Sequence, residues 1–292
     1  MGEDTSRLVG LIGWPVAHSL SPAMHNAAFE ALGLGWRYEL LPVRPGEVET
    51  AIRGLTALGF RGANITVPHK TAVRAAIDAL SPEAEAIGAV NTLVIHRDKG
   101  GAALIKGHNT DHTGCLAAIR CAGHDVAEER IVVVGAGGAA RAAVYGFVQG
   151  GAREVVVLAR RPEAAEALVE EFTDLGASLR ASLLATGALV EAAHSAAVLV
   201  NATSVGMAPD VEATIWPDDI PLPSDLLVYD LVYAPRETRL LRHAASCGAR
   251  TLGGLDMLIE QGARSFSLWT GCEAPIDVMR SACEAEMGRR SM

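Results

Sequence analysis

The chain has 292 residues, half of them hydrophobic but only 4% aromatic, with a formal net charge of −9. That length and apolar content suffice for two domains with aliphatic cores. The acidic balance argues against a nucleic-acid partner, since it repels phosphate backbones. No membrane span is expected either, because the most apolar long window, 131–148, is interrupted by Arg141 and several glycines.

Five cysteines (Cys115, Cys121, Cys247, Cys272 and Cys283) give an odd count with no C-x-x-C spacing. Reduced thiols in a cytoplasmic protein are expected, not a disulfide framework or a zinc site. Nine histidines include no H-E-x-x-H, and no metal is expected. The N-terminus carries Glu3 and Asp4 and has no basic-then-apolar signal pattern.

In chain order, residues 8–12 read as a strand, ended by Gly13-Trp14-Pro15. Ser21-Pro22 then signals a helix start, with Ser21 as N-cap, and the helical pattern runs over 23–32. A strand at 38–43, a helix at 47–58 and the segment Asn64-Ile65-Thr66-Val67-Pro68-His69-Lys70 follow. That segment predicts a strand ending in polar residues, a tight corner, and a helix from Pro68 to about residue 80. Ser81-Pro82-Glu83 starts another short helix, which ends near Gly88. Strands at 90–96 and 102–106 flank a polar turn, and a helix covers 113–122. The run 131–134 is purely β-branched, so that strand should be buried on both faces. Helix 138–149, strand 154–158, helix 163–175 and a second buried strand at 198–201 continue the alternation. A proline-rich loop spans 209–224, a strand 226–232, and helices at about 236–247, 255–270 and 275–288 close the chain. Strands alternating with helices imply largely parallel sheets.

Taken alone, Lys70 reads as a surface lysine on a solvated turn, because lysines are mostly exposed. The stronger chemical signal is Gly135-Ala136-Gly137-Gly138-Ala139-Ala140, which fits G-x-G-x-x-G/A. It follows a strand and opens a helix, the context in which the motif binds a dinucleotide. Gly135 permits the tight turn, Gly137 lets backbone approach a pyrophosphate, and Ala140 allows close helix–strand packing. The alternative is a glycine-rich turn without a ligand. The next strand ends at Ala159-Arg160-Arg161-Pro162 with no acid at its tip. Two guanidinium groups suit a 2′-phosphate, so NADP is expected over NAD, with nearby Glu163 as the counter-indication.

With these motifs in view, the chain resembles the shikimate dehydrogenase family (shikimate/quinate dehydrogenases). The matching residues are Ser19-Leu20-Ser21-Pro22-Ala23-Met24-His25-Asn26, the Asn64 to Lys70 segment, Gly88-Ala89-Val90-Asn91-Thr92 and Gly107-His108-Asn109-Thr110-Asp111. They continue through the glycine-rich turn to Asn201-Ala202-Thr203-Ser204-Val205-Gly206-Met207, Asp230-Leu231-Val232-Tyr233, Gly254 through Gln261, and Ser265 through Gly271. Each motif is weak alone, but their order over nearly the whole chain is specific.

The resemblance implies two α/β domains. Residues 1–111 with 255–292 would form a mostly parallel substrate domain, to which the C-terminal helices return. Residues 112–254 would form a Rossmann-type NADP-binding domain. It implies reversible NADPH-dependent reduction of 3-dehydroshikimate to shikimate in aromatic amino acid (chorismate) biosynthesis, by a cytoplasmic monomer or homodimer. Lys70 and Asp111 would be the catalytic pair. Ser19, Ser21, Thr66, Asn91, Tyr233 and Gln261 would contact substrate, with Ser19 and Ser21 on its carboxylate. Gly135, Ala136, Gly137, Gly138, Ala139, Arg160, Arg161, Asn201, Thr203, Ser204, Leu231 and Gly254 would lie at the nucleotide.

Two departures from the family pattern stand out. His112 occupies a position usually held by glycine, where it either alters the pH profile or sits in solvent. Arg161 replaces a usual threonine beside the phosphate-binding arginine. Quinate or aminoshikimate dehydrogenase, and a non-catalytic NADP-binding sensor on the same scaffold, are the alternatives. Retention of Lys70 and Asp111 favours the enzyme.

Overall fold

The structure, a computed structural model, describes residues 7–98 and 100–290; Glu3 and Asp4 of the N-terminal sequence pattern lie outside them. Its elements in chain order are β1 (Arg7–Gly13), α1 (Ser21–Ala31), β2 (Trp36–Pro42), α2 (Val48–Ala57), β3 (Gly62–Ile65), a 3-10 turn (Ala72–Ala76), β4 (Ala79–Leu80), α3 (Pro82–Ile87), β5 (Thr92–Arg97) and β6 (Ala103–His108). Then come α4 (Asp111–Cys121), β7 (Arg130–Val134), α5 (Gly138–Gln149), β8 (Glu154–Ala159), α6 (Pro162–Glu171), β9 (Ser178–Leu183), α7 (Thr186–His194), β10 (Val198–Asn201), β11 (Leu227–Asp230), α8 (Arg239–Ser246), β12 (Arg250–Leu252), α9 (Gly254–Thr270) and α10 (Ile276–Arg290). By internal contacts the chain divides into two compact units, Met1–Thr110 with Ile259–Met292, and Asp111–Leu258.

The first unit is built on a six-stranded sheet ordered β2-β1-β3-β5-β6-β4. β1 pairs in parallel with β2 and β3, whereas β5 and β6 form an antiparallel hairpin beside β3. Side chains alternate across the strands. Ile12, Ala63, Ile65, Leu93 and Ile95 join an aliphatic core with Ile52 and Leu55 of α2. Val48, Ile52 and Leu55 recur at helical spacing and are the buried residues of α2. On the other face an aromatic cluster forms around His25, stacked 4.5 Å from Tyr38 and flanked by Phe29, Phe266 and Trp269. A chain with few aromatics has thus concentrated four of them around one buried histidine.

The second unit is a fully parallel sheet ordered β12-β11-β10-β7-β8-β9. β7 sits in the middle, and its residues serve two cores. Ile131 and Val133 pack on one face with α4, α5 and α6, and Val132 and Val134 on the other with α7 and α8. The β-branched run is therefore buried on both faces, as its composition requires.

Two local expectations fail. Ala72–Ala76 makes only a 3-10 turn, and Val67-Pro68 is a cis peptide in the corner, not the first turn of a helix. Helix propensity there loses to sheet pairing. Asp78 N–H donates to the Ile105 carbonyl at 3.0 Å, the Asp78 carboxylate accepts Ile105 N–H at 2.7 Å, and β4 joins β6. Ser21 does not cap α1, because the helix already includes it and no side chain caps its start; the Ser21 N–H itself donates to the Ser19 hydroxyl at 3.2 Å. Ser81, by contrast, caps α3 as expected, accepting from Ala84 N–H. The sequence pattern does not announce β9, α7 and β12. Both strands are sheet edges with exposed positions; β9 alternates polar and apolar residues but has no long apolar run, and β12 has only three residues.

His25 is fully buried, and burial alone lowers its pKa from 6.5 to about 3. The unfolded chain binds a proton near pH 6.5 that the folded chain refuses, so this contribution is complete above pH 6.5 and is lost as pH falls towards 3. Urea unfolding between pH 7 and pH 4 should show a shallower loss of stability in His25→Phe than in the wild type. Equal slopes would refute that role for His25.

Candidate active site

In the first unit, a polar network is buried where β3, β5 and α9 meet. Asn64 lies on the face of β3 opposite Ile65, and its carboxamide oxygen accepts the Tyr38 hydroxyl at 2.8 Å. Its Nδ2 faces the Asn91 carbonyl at 3.1 Å and the hydroxyls of Thr92 and Ser265, each at 3.0 Å. Thr92 and Ser265 share a 2.7 Å hydrogen bond. The Asn91 side chain donates to Thr110 Oγ1 at 2.8 Å and to Gln261 Oε1 at 3.2 Å, and its Oδ1 accepts Thr110 N–H at 2.8 Å. Asn91 and Gln261, which the sequence separates by 170 positions, are thereby brought together. Low local dielectric strengthens such bonds and raises the cost of breaking any one of them.

Thr66 and Lys70 occupy the corner after β3. Thr66 N–H donates to the Ile12 carbonyl, and the Lys70 carbonyl accepts Val90 N–H, both at 2.8 Å. Between them, buried His69 places Nε2 2.8 Å from the Val43 carbonyl. Backbone pairing thus fixes the corner, while Lys70 is half-buried and not a freely solvated lysine. At the start of α1, the Ser19 and Ser21 hydroxyls meet at 3.1 Å and both residues are buried. Hydroxyls beside a helix N-terminus suit a carboxylate.

In the second unit, the polar residues gather at the carboxyl ends of the parallel strands, where open α/β sheets bind ligands. Gly135 has φ +121°, and a β-carbon there would stand 3.1 Å from the Ala202 carbonyl oxygen. Gly137 opens α5 with no side-chain cap, and the space a β-carbon would take there is open. A pyrophosphate fits that end, where first-turn N–H groups of Gly138 and Ala139 point outward along the dipole. Arg160 and Arg161 are exposed at the tip of β8, the strand beside β7. Asn201 ends β10, and its Oδ1 accepts from the Thr203 N–H and hydroxyl at 3.1 and 2.6 Å. Ser204 is exposed in the same loop. Leu231 N–H donates to the Asn201 carbonyl at 3.0 Å. Gly254 is required by close approach, since a β-carbon there would fall 2.2 Å from the Leu231 carbonyl oxygen. Tyr233 follows β11 and is half-buried, and Asp111 opens α4 and is buried. His112, the unusual neighbour of Asp111, meets Tyr145 edge-on with ring centroids 5.4 Å apart.

Several residues of this architecture are not evident from the sequence. Thr92, Thr110 and Ser265 lie inside the matched motifs but read as ordinary turn or helix residues until Asn64 and Asn91 are seen between them. Asp230 is the clearest omission. It is fully buried and accepts from the Thr238 hydroxyl at 2.7 Å, Asn201 Nδ2 at 2.9 Å and Val232 N–H at 3.0 Å. Burial nevertheless raises its pKa to about 6, against those three donors. A lone acid ending an apolar strand was the available signal.

Comparison with known proteins finds one family along the chain. Residues 11–93 match the shikimate dehydrogenase substrate binding domain, residues 116–226 the shikimate / quinate 5-dehydrogenase family, and residues 254–284 the shikimate 5'-dehydrogenase C-terminal domain. The shikimate dehydrogenase (NADP(+)) of Moorella thermoacetica is 46% identical over 292 residues, covering 99% of this chain and 96% of the relative. A shikimate dehydrogenase solved in complex with NADP+ superposes with a TM-score of 0.87 at 36% identity, covering 98% of each chain. The Thermus thermophilus shikimate 5-dehydrogenase, solved with NADP(H) and shikimate, gives a TM-score of 0.83 at 38% identity over 96% of this chain and 99% of that one.

Asp230 yields a pH test. Its folded pKa of about 6 lies above the unfolded value of about 3.9, so the folded state binds more protons between the two. Its contribution to stability is therefore largest below pH 4 and is lost as pH rises to 6. Relative to the wild type, Asp230→Asn should gain stability as pH rises from 4 to 7, measured by urea unfolding. A difference that does not vary with pH would contradict the assignment.

Proposed function

The chain belongs to the shikimate dehydrogenase family, and from that premise we propose that it reduces the ketone of 3-dehydroshikimate to shikimate, reversibly and with NADPH. The reaction would serve aromatic amino acid (chorismate) biosynthesis. The observation that carries this reading is that identity of 46% extends over 99% of the chain while Lys70, Asp111 and the glycine-rich turn all stand in their motifs. The five cysteines are all free, which suits the cytoplasm, and there we place the enzyme, as a monomer or homodimer. Among the described residues, no helix is long and apolar enough to cross a membrane.

We assign substrate binding to residues 1–111 with 255–292, and dinucleotide binding to residues 112–254. Gly135, Ala136, Gly137, Gly138 and Ala139 would hold the pyrophosphate, and Arg160 and Arg161 the 2′-phosphate. Asn201, Thr203, Ser204, Leu231 and Gly254 would border the nucleotide. NADPH, when bound, supplies the hydride. As the ketone carbon is reduced, negative charge builds on its oxygen, and the Lys70 ammonium stabilises and protonates it. In the reverse direction a neutral Lys70 takes the hydroxyl proton. Asp111 accepts a hydrogen bond from a ring hydroxyl and keeps that hydroxyl oriented. Ser19 and Ser21 take the substrate carboxylate at the start of α1. Thr66, Asn91, Tyr233 and Gln261 bind the remaining polar edge. The Asn91 to Gln261 bond sets which end of the Gln261 amide faces Asn91, so those two groups are ordered before substrate arrives.

The test is turnover. The purified wild type should consume NADPH with 3-dehydroshikimate and prefer it to NADH. Lys70→Ala should lower kcat by about 10²–10⁴ with little change in KM for NADPH. A wild type that fails to turn over contradicts the function, and a fully active Lys70→Ala contradicts the role of the lysine.

A further inference from the structure

We infer that Arg290, at the end of α10, is a positioning residue for the Ser19–Ser21 loop and, through it, for the substrate carboxylate. The inference rests on the assignment of that loop to the carboxylate. Residues 14–20 connect β1 to α1 and fold back on themselves, with Ser19 N–H donating to the Val16 carbonyl at 2.9 Å. A loop that binds an anion through hydroxyls has to turn its carbonyl oxygens elsewhere and satisfy them there, because their negative ends repel the ligand. Arg290 does this for two successive carbonyls. Its Nη1 donates to the His18 oxygen at 2.5 Å and its Nη2 to the Ser19 oxygen at 3.2 Å.

The fork is itself held in place. Arg290 Nε donates to Glu286 Oε1 at 2.8 Å, one helical turn earlier. α10 packs along α1 and is anchored by buried Met279 and Cys283. The guanidinium therefore reaches the loop from a fixed helix. Glu286 is shared with Arg289, which holds its other oxygen, so the carboxylate fixes the Arg290 fork in place while the pair of guanidinium groups keeps a net positive charge. A lysine cannot reproduce this arrangement, because its three donors sit on one compact ammonium, whereas the guanidinium spreads its donors over three nitrogens that reach Glu286, His18 and Ser19 at once. Neither the composition nor any motif connects position 290 with positions 18 and 19.

The test compares wild type, Arg290→Ala and Arg290→Lys in the intact chain, with shikimate and its methyl ester as competing ligands. In Arg290→Ala, KM for 3-dehydroshikimate should rise about three- to tenfold, the loss of charge-assisted bonds to the loop. In the same variant kcat should stay within about twofold and KM for NADPH should not move. Arg290→Lys should restore only part of the loss. The preference for inhibition by shikimate over its uncharged ester should narrow in Arg290→Ala, which a merely loosened fold would not produce. An unchanged KM, or an unchanged acid-to-ester preference, in an active enzyme overturns the inference alone. An equal decline in kcat and in affinity for NADPH and substrate also overturns it. A wild type that neither turns over 3-dehydroshikimate nor binds shikimate overturns the functional reading, and this inference with it.

Discussion

The buried carboxamide of Asn64 is the constraint on which the first unit depends. Its oxygen takes the Tyr38 hydroxyl, and its nitrogen is shared among Asn91, Thr92 and Ser265. A polar group in that position is costly unless satisfied. Its partners come from β2, from the start of β5 and from α9, so satisfying it fixes three elements relative to β3. The residues proposed to meet substrate hang on these anchors. Thr66 and Lys70 follow β3 directly, Asn91 precedes Thr92, and Gln261 lies one helical turn before Ser265. The aromatic stack of His25 on Tyr38 then seals the same face against water. One amide thus couples the hydrophobic packing of the sheet to the placement of its polar rim.

The second unit reaches its geometry differently. Its central strands are apolar on both faces and need no polar contact to find their place. Apart from the Arg130–Glu154 ion pair at the amino ends of β7 and β8, polarity gathers where the strands end, at Gly135, Arg160, Asn201 and Asp230. There Asp230 ties β11 to Asn201 and to the Thr238 cap of α8. Close backbone approach does the rest, as at Gly254, where any side chain would meet the Leu231 carbonyl. The sheet supplies rigidity, and its carboxyl edge supplies the chemistry.

Much of this was legible in the sequence, for identifiable reasons. The run 131–134 could only be a doubly buried strand, and the glycine-rich turn after it, placed between a strand and a helix, has the context in which that motif reads as a dinucleotide loop. Ser81-Pro82 announced a helix start that the structure contains. Where local signals misled, tertiary pairing had prevailed. The alanines at 72, 75 and 76 favour a helix, but β4 has to reach β6. Ser21 resembles an N-cap, but α1 already includes it, and no side chain caps that helix. The rest was hidden because it depends on distance along the chain. Nothing near Asn64 indicates Ser265, and nothing near Ser19 indicates Arg290. Edge strands β9 and β12 are mostly exposed or half-buried, and β12 has only three residues, so neither carries the continuous apolar run that marks β7 and β10.

The measurement that bears most directly on this account is a double-mutant cycle between Asn64 and Ser265, read by equilibrium unfolding. If the carboxamide couples β3 to α9, Asn64→Ala and Ser265→Ala should be non-additive, with a coupling free energy of about 1–2 kcal/mol. Additivity to within about 0.3 kcal/mol would show that the two residues act independently, and the network would lose its place as the organising constraint.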